Sequence, residues 1–329
     1  MYYDFNSAIF AALLAFGAAI ILGPIAIPIL RRLKFGQNVR DDGPQTHLAK
    51  QGIPSMGGIV IIAATFIGGA LFSGMGYTFW LLMFPMLSFG AIGFCDDFIK
   101  IVKKRSMGLR SWQKFIMQIA AGVGFVLLLR HFEIDTRFFL PFTAGRYIDF
   151  GWFTPIFILL VMGGTTNGAN FTDGLDGLAS GVTMLITIFF LYVSIAMDSS
   201  LTPILGAGAG ALLGFLLFNS YPARVFMGDT GSLALGGFVA GAAIILQQPL
   251  LIPIVAFVYF VEVASSFLQT AWYKYTKRKY GKGRRLFKMA PIHHHFEMMG
   301  WPETRVVAVF YIVTAILCLL GIVAVSNFF

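Results

Sequence analysis

At 329 residues, 57% hydrophobic and only 12% charged, the chain lies far from soluble usage, in which about 25% of residues are charged. Its mean hydropathy is +0.79, and apolar stretches run end to end with no polar block for a second domain, so 1–329 reads as one integral-membrane domain. The net charge of +9 then belongs to connections at a membrane surface, and no nucleic-acid partner is expected.

Ten stretches approach the roughly 20 apolar residues that cross a bilayer. In chain order they are 6–30, 57–75, 77–95, 113–131, 152–168, 178–197, 201–218, 231–247, 249–273 and 306–327. The first has no basic residues before it and no small-residue cleavage site after it, so it reads as a retained span rather than a signal peptide. Cys95 and Cys318 fall within apolar stretches and read as small core hydrophobes. Twenty-one of the 24 Lys and Arg lie in or beside the odd-to-even connections, and three (Arg130, Arg137 and Arg146) on the other side. The bias places those five connections in the cytoplasm and both termini outside. The expected fold is an all-α polytopic membrane protein with ten transmembrane helices and five cytoplasmic loops that form the site. The outer segment 132–151 alternates aromatic and polar residues around Pro141 and Gly145, which predicts a short hairpin.

Five acids sit at the ends of apolar segments, all on the cytoplasmic side: Asp96, Asp97, Asp173, Asp176 and Asp229. A carboxylate beside hydrocarbon is costly, so such residues point to function. The first loop runs from Arg40 through His47 to Lys50 and on through Ser55 to Gly57-Gly58. Lys50 is a point charge suited to phosphate, and the Gly-Gly pair either meets a phosphate at a helix start or packs closely against another helix. Span 3 ends in Asp96-Asp97-Phe98-Ile99-Lys100. Adjacent helical residues diverge by about 100°, so the two carboxylates are expected to serve different partners, with Lys100 one turn along on the Asp96 face.

The third loop, Asn167 to Gly177, holds Asn170, Asp173 and Asp176 and no Lys or Arg. Those residues cap a helix or read a nucleobase and sugar hydroxyls. The fourth runs from Asn219 through Phe226 to Gly228-Asp229. A further carboxylate beside the Asp96/Asp97 pair calls for a cation between them, and Mg²⁺ suits a site of one or two carboxylates plus substrate phosphates. The fifth is basic and contains His293-His294-His295. Consecutive histidines rarely converge on one zinc, so imidazoles on phosphate or sugar oxygens are expected instead. Glu262, inside span 9, is an intramembrane acid open to a functional or a buried structural role.

Five segments together resemble the phospho-N-acetylmuramoyl-pentapeptide transferases, a branch of the polyprenyl-phosphate N-acetylhexosamine-1-phosphate transferases. They are Arg-Asp-Asp-Gly-Pro-Gln-Thr-His at 40–47, Asp-Asp-Phe-Ile-Lys at 96–100, Asn-Phe-Thr-Asp-Gly-Leu-Asp-Gly-Leu at 170–178, Phe-Met-Gly-Asp-Thr-Gly-Ser at 226–232 and Ala-Pro-Ile-His-His-His-Phe-Glu at 290–297. The paired Asp and Gly-Asp motifs belong to the whole superfamily, whereas the triple-His loop points to the muramoyl branch. The resemblance implies transfer of phospho-MurNAc-pentapeptide from UDP-MurNAc-pentapeptide to undecaprenyl phosphate, with Mg²⁺, at the inner face of the bacterial cell membrane. It implies Asp229 as metal ligand, Asp96, Asp97, Asp229 and His294 as catalytic, and a homodimer. Lys50, Ser55, Lys100, Asn170, Asp173, Asp176, Asn219, Phe226, His293 and His295 are implied as substrate-binding. Two alternatives stand beside it: a transferase using UDP-N-acetylglucosamine, and a secondary transporter, whose sites lie near the midplane rather than at one face.

Overall fold

A computed structural model describes residues 5–33, 50, 52–103 and 107–326. The 40–47 segment of the resemblance, with Lys104 and Arg105, falls outside them. The order is α1 (Phe5–Arg32), α2 (Gly58–Ser73), α3 (Tyr77–Val102), α4 (Ser111–His131), β1 (Phe138–Phe139), β2 (Tyr147–Ile148), α5 (Thr154–Thr172), α6 (Leu178–Ala196), α7 (Thr202–Asn219), α8 (Gly228–Ile245), α9 (Ile252–Val255), α10 (Phe257–Tyr280), α11 (Ile292–Met298) and α12 (Glu303–Val325). The all-α expectation holds, with one two-residue antiparallel ribbon pairing Phe138 with Ile148 and Phe139 with Tyr147 where the hairpin was expected.

Among the described residues, seven helices are long and apolar enough to cross a membrane, or eight if α9 and α10 form one broken span, and α2 is a shorter apolar helix. The chain is therefore a multi-helix membrane protein. The 249–273 stretch is not the straight span expected. It bends by 75° between α9 and α10, where Ala256 leaves helical geometry at φ −106°, ψ 29°. The basic run after Tyr273 continues α10 to Tyr280 and stops where Gly281 turns left-handed at φ 70°, a conformation that costs glycine little.

Small residues let the central helices approach closely, as membrane packing requires where apolar burial against lipid gains little. On α1, Ala11, Ala15, Ala19 and Gly23 recur every four residues and are buried. They face a matching stripe on α7: a Cβ on Gly206 would lie 2.5 Å from the Ala8 carbonyl oxygen, and one on Gly210 2.0 Å from that of Ala12. Helices α7 and α8 form the centre and are almost wholly buried, while α1, α4 and α12 present apolar faces outward. A second cluster around Phe89, Phe125, Phe138, Ile158 and Met162 fills the space between α3, α4, α5 and the ribbon.

The ribbon marks one end of the bundle. Phe139 N–H donates to the Gln247 carbonyl beyond α8, and Phe142 N–H to the Ala324 carbonyl at the end of α12. The polar motifs gather elsewhere, on the odd-to-even connections.

Candidate active site

Two polar clusters form there. The first joins the last turns of α3 to the first turns of α4 and α8 and the end of α5. Helices α3 and α8 cross tightly because residue 93 is glycine: a Cβ there would sit 2.0 Å from the Asp229 carbonyl oxygen. Asp229, in the first turn of α8, gains from the positive end of the helix dipole. Its carboxylate meets the Lys100 ammonium at 3.1 Å and that of Lys114 at 3.0 Å. Lys100 also reaches Asp96 at 2.6 Å and Asp97 at 3.4 Å, as its placement one turn beyond Asp96 predicts.

Each carboxylate is further fixed by donors. Thr230 gives Asp97 Oδ2 both its backbone N–H (2.9 Å) and its hydroxyl (2.8 Å). Leu109 N–H donates to Asp96 Oδ1 at 2.8 Å. Asn170 Nδ2 donates to Asp229 Oδ1 and to Ser232 Oγ, both at 2.8 Å. Asp96 and Asp97 are each 4% exposed, which makes their ion pairs costly to break singly.

One expectation is corrected. The 100° divergence does not keep Asp96 and Asp97 apart, because oxygens of Asp96, Asp97 and Asp229 all lie within 4.8 Å of one another. Asp229 enters from a second helix, so a shared centre needs only one oxygen from each member of the pair. Three hard oxygen donors brought this close could hold a metal ion.

The second cluster lies between the first and third loops and α12. Lys50 Nζ donates to Asp176 Oδ1 and Glu303 Oε1, both at 2.6 Å. Glu303 Oε1 also accepts the Asp176 N–H at 2.7 Å, and Asp176 Oδ2 accepts Ala223 N–H at 2.9 Å. Burial alone would lower the Lys50 ammonium, but its bonds to Asp176 and Glu303, with their charges, outweigh that and raise it. Asp173, half-buried in the same turn, has its carboxyl pushed up to about 8, first by burial and then by the negative charges of Asp229, Asp97 and Asp176.

The other expected residues are placed differently. Ser55 Oγ and Asp97 Oδ2 flank Gly228, 2.6 and 2.7 Å from where its Cβ would be. Asn219 is buried, accepting from Ser180 Oγ at 2.6 Å and donating to the Val225 carbonyl at 3.0 Å, so its amide is engaged within the protein. Phe226 is half-buried, and its backbone bridges Pro54 and Gly57. The Gly57 and Gly58 N–H groups are taken by the Phe226 and Met227 carbonyls, which favours close packing over phosphate binding at that helix start.

Among the described residues, the Nδ1 atoms of the three histidines each meet a different group. His293 Nδ1 is 2.9 Å from Glu262 Oε2, His294 Nδ1 is 2.8 Å from Glu297 Oε2, and His295 Nδ1 accepts Lys288 N–H at 3.1 Å. Sequence reasoning missed Lys114, Thr230, Ser232 and Glu303. Lys114 carried a usable signal, a cation inside an apolar stretch, which is as exceptional as an acid there.

Comparison with known proteins bears on this arrangement. The profile of Glycosyl transferase family 4 matches residues 79–247, and the phospho-N-acetylmuramoyl-pentapeptide-transferase signature 1 matches residues 50–62, the strand of chain that carries Lys50 and Ser55. The phospho-N-acetylmuramoyl-pentapeptide-transferase of Clostridioides difficile is 47% identical over 96% of this chain and 97% of its own length. That of Acetivibrio thermocellus is 45% identical over 98% and 96%, and that of Caldicellulosiruptor bescii 43% over 97% and 97%. Identity at this level over nearly the whole length of each relative leaves one assignment: the chain belongs to the phospho-N-acetylmuramoyl-pentapeptide transferase family.

Proposed function

We propose that this chain transfers phospho-MurNAc-pentapeptide from UDP-MurNAc-pentapeptide to undecaprenyl phosphate, yielding lipid I and UMP, at the cluster of Asp96, Asp97, Asp229, Lys100 and Lys114. The observation that carries the reading is the convergence of three carboxylates and two ammonium groups from three helices on one point. Phosphoryl transfer asks mainly for positioning and charge neutralisation, and this cluster supplies both.

In the direct route an oxygen of the lipid phosphate attacks the sugar-linked phosphorus. That P–O bond forms as the bond to the UMP oxygen breaks, and UMP leaves with the electron pair. Lys100 and Lys114 offset charge on the phosphates as these bonds change. One carboxylate of the Asp96/Asp97 pair orients the attacking lipid phosphate, held by Leu109 N–H or by Thr230 respectively. Asp229, with Asp96 and Asp97, would hold Mg²⁺, which supplies further charge neutralisation when bound. In a two-step route an Asp would instead attack first and carry the phosphosugar as a covalent intermediate; trapping a phospho-enzyme on Asp97 separates the two.

Lys50, Asp173, Asp176, Asn170, Asn219 and Phe226 are assigned to the nucleotide side. Ser55 and the histidines His293, His294 and His295 are assigned to the phosphate-sugar portion. Since Asn219 and Asn170 already bond within the protein, their share is to shape the pocket wall. We read 1–329 as one domain of ten spans, acting as a homodimer in the cell membrane with its site and five loops at the cytoplasmic face. The Lys and Arg bias supports that orientation.

The test is UMP release by the purified chain in detergent, with Mg²⁺ and undecaprenyl phosphate, comparing UDP-MurNAc-pentapeptide with UDP-N-acetylglucosamine. Release from the muramoyl donor alone, lost in Asp229→Asn, is expected. Release from the other donor, or none dependent on lipid, would refute the assignment.

A further inference from the structure

Glu262 lies in α10 and His293 in α11, and neither side chain is exposed at all. His293 Nδ1 and Glu262 Oε2 are 2.9 Å apart. Each residue also has a second polar atom, Glu262 Oε1 and His293 Nε2, that is buried with no hydrogen-bond partner among the described residues. Leaving a buried polar atom unpaired is costly, so a pair kept only to join two helices would be expected to satisfy both.

The unpaired nitrogen has a direction. A Cβ on Gly174 would lie 2.1 Å from His293 Nε2 and 2.5 Å from Cε1, so the ring edge is pressed against the turn that carries Asp173 and Asp176. Only a residue without a side chain fits between them. Nε2 is thus stationed against the turn that joins Asp173 to Asp176, residues assigned above to the donor nucleotide.

We propose that Glu262 is a positioning residue for the transfer reaction. By holding Nδ1 it fixes the plane of the His293 imidazole and reserves Nε2, at the Gly174 turn, as the atom that hydrogen-bonds the phosphate-linked sugar. The role rests on the transferase reading above. It also separates the three histidines: His293 acts through Nε2, with its other nitrogen committed to α10. An imidazole with one nitrogen held by a carboxylate has a single orientation and a defined free nitrogen, and losing such an outer partner of a histidine metal ligand costs about 10- to 100-fold.

The experiment uses the full chain in detergent, measuring kcat and KM for UDP-MurNAc-pentapeptide alongside thermal unfolding. The variants are Glu262→Leu, Glu262→Gln, His293→Ala and the double Glu262→Leu/His293→Ala. Glu262→Leu should lower kcat by about 10- to 100-fold with KM changed by less than about threefold, and Glu262→Gln, which keeps an oxygen acceptor, should recover most of the loss. The double variant should be no slower than His293→Ala, because Glu262 acts only through that ring. Wild-type turnover in Glu262→Leu, or single losses that multiply in the double variant, would overturn the role. Should Glu262→Leu fail to fold, His293→Gln, whose amide reaches the Nε2 position, is expected to keep more activity than His293→Asn, whose amide reaches only Nδ1; the opposite order overturns it. A wild-type chain that releases no UMP overturns the transferase reading and this role together, whereas an active wild type with insensitive variants overturns the role alone.

Discussion

Gly93→Ala isolates the crossing of α3 and α8 without touching a charged group. A Cβ at 93 would lie 2.0 Å from the Asp229 carbonyl oxygen, 2.3 Å from its carbonyl carbon and 2.6 Å from Thr230 N. All three are backbone atoms, so no side-chain rotation relieves the contact. Carbon and carbonyl oxygen rest no closer than about 3.3 Å, so the start of α8 must retreat by about 1.3 Å relative to α3. Asp229 travels with it, and the two Thr230 bonds to Asp97, now 2.9 and 2.8 Å, stretch to about 4 Å, beyond hydrogen-bonding range. A 1 Å misplacement at a reacting centre costs about 100-fold, which is the loss expected in kcat for UMP release. Overpacking of this kind costs about 1–3 kcal/mol of stability, so the variant should remain helical by circular dichroism. Gly163→Ala on α5, where nothing lies within 4 Å of the added methyl, is the control and should turn over as wild type does. Wild-type turnover in Gly93→Ala would show that the α3–α8 spacing does not set the geometry of the carboxylates.

Lys114→Met removes one of the two ammonium groups on Asp229 Oδ2 and should lower kcat by about 100- to 1,000-fold, the range for losing one preorganised charge-stabilising donor; unchanged UMP release would exclude Lys114 from the site. Chelation of divalent cations should abolish UMP release, and Mg²⁺ should restore it in the wild type but not in Asp229→Asn; full turnover in chelator would refute the metal assignment. Asp173 titrates at about 8 in the folded chain, chiefly through burial, against about 3.9 when unfolded. Between those values the folded state holds a proton that the unfolded chain has lost, so this group makes stability fall as pH rises from about 4 to about 8. Asp173→Asn should therefore have the higher Tm at about pH 8.5 and match the wild type at about pH 4 by thermal fluorimetry; parallel Tm curves would contradict the raised value.

Apolar length alone located most helices to within a few residues, because crossing hydrocarbon imposes both a minimum length and internally paired backbone. Residues 178–197 and 201–218 were expected as spans and fold as Leu178–Ala196 and Thr202–Asn219. The bend at Ala256 escaped because hydropathy records composition and not direction; Pro249 and Pro253 lie before it, and neither sits at the break. Helix α10 outran its apolar stretch for a related reason. Lys, Arg and Tyr leave the bilayer but stay helical until a glycine supplies a left-handed stop, so the end of hydrocarbon and the end of the helix are separate events.

The site shows a sharper division. Charge cost singled out the acids one residue at a time, and Asp96, Asp97, Asp176 and Asp229 all lie in the two polar clusters. What failed was geometry between elements. The 100° step that separates Asp96 from Asp97 is a property of α3 alone, whereas their shared centre is set by Asp229 arriving from α8 across Gly93, 136 residues away in sequence. Glu303 was invisible on the same ground: in the sequence it is an ordinary first-turn acid of α12, and only folding brings it to Lys50 and the Asp176 N–H. Local periodicity assigns a side chain to a face of its own helix. The partner on that face is chosen by the small residues that decide how closely two helices cross, so in this fold Gly58, against Gly231, and Gly93, against Asp229, carry as much of the site's geometry as the charged groups they bring together.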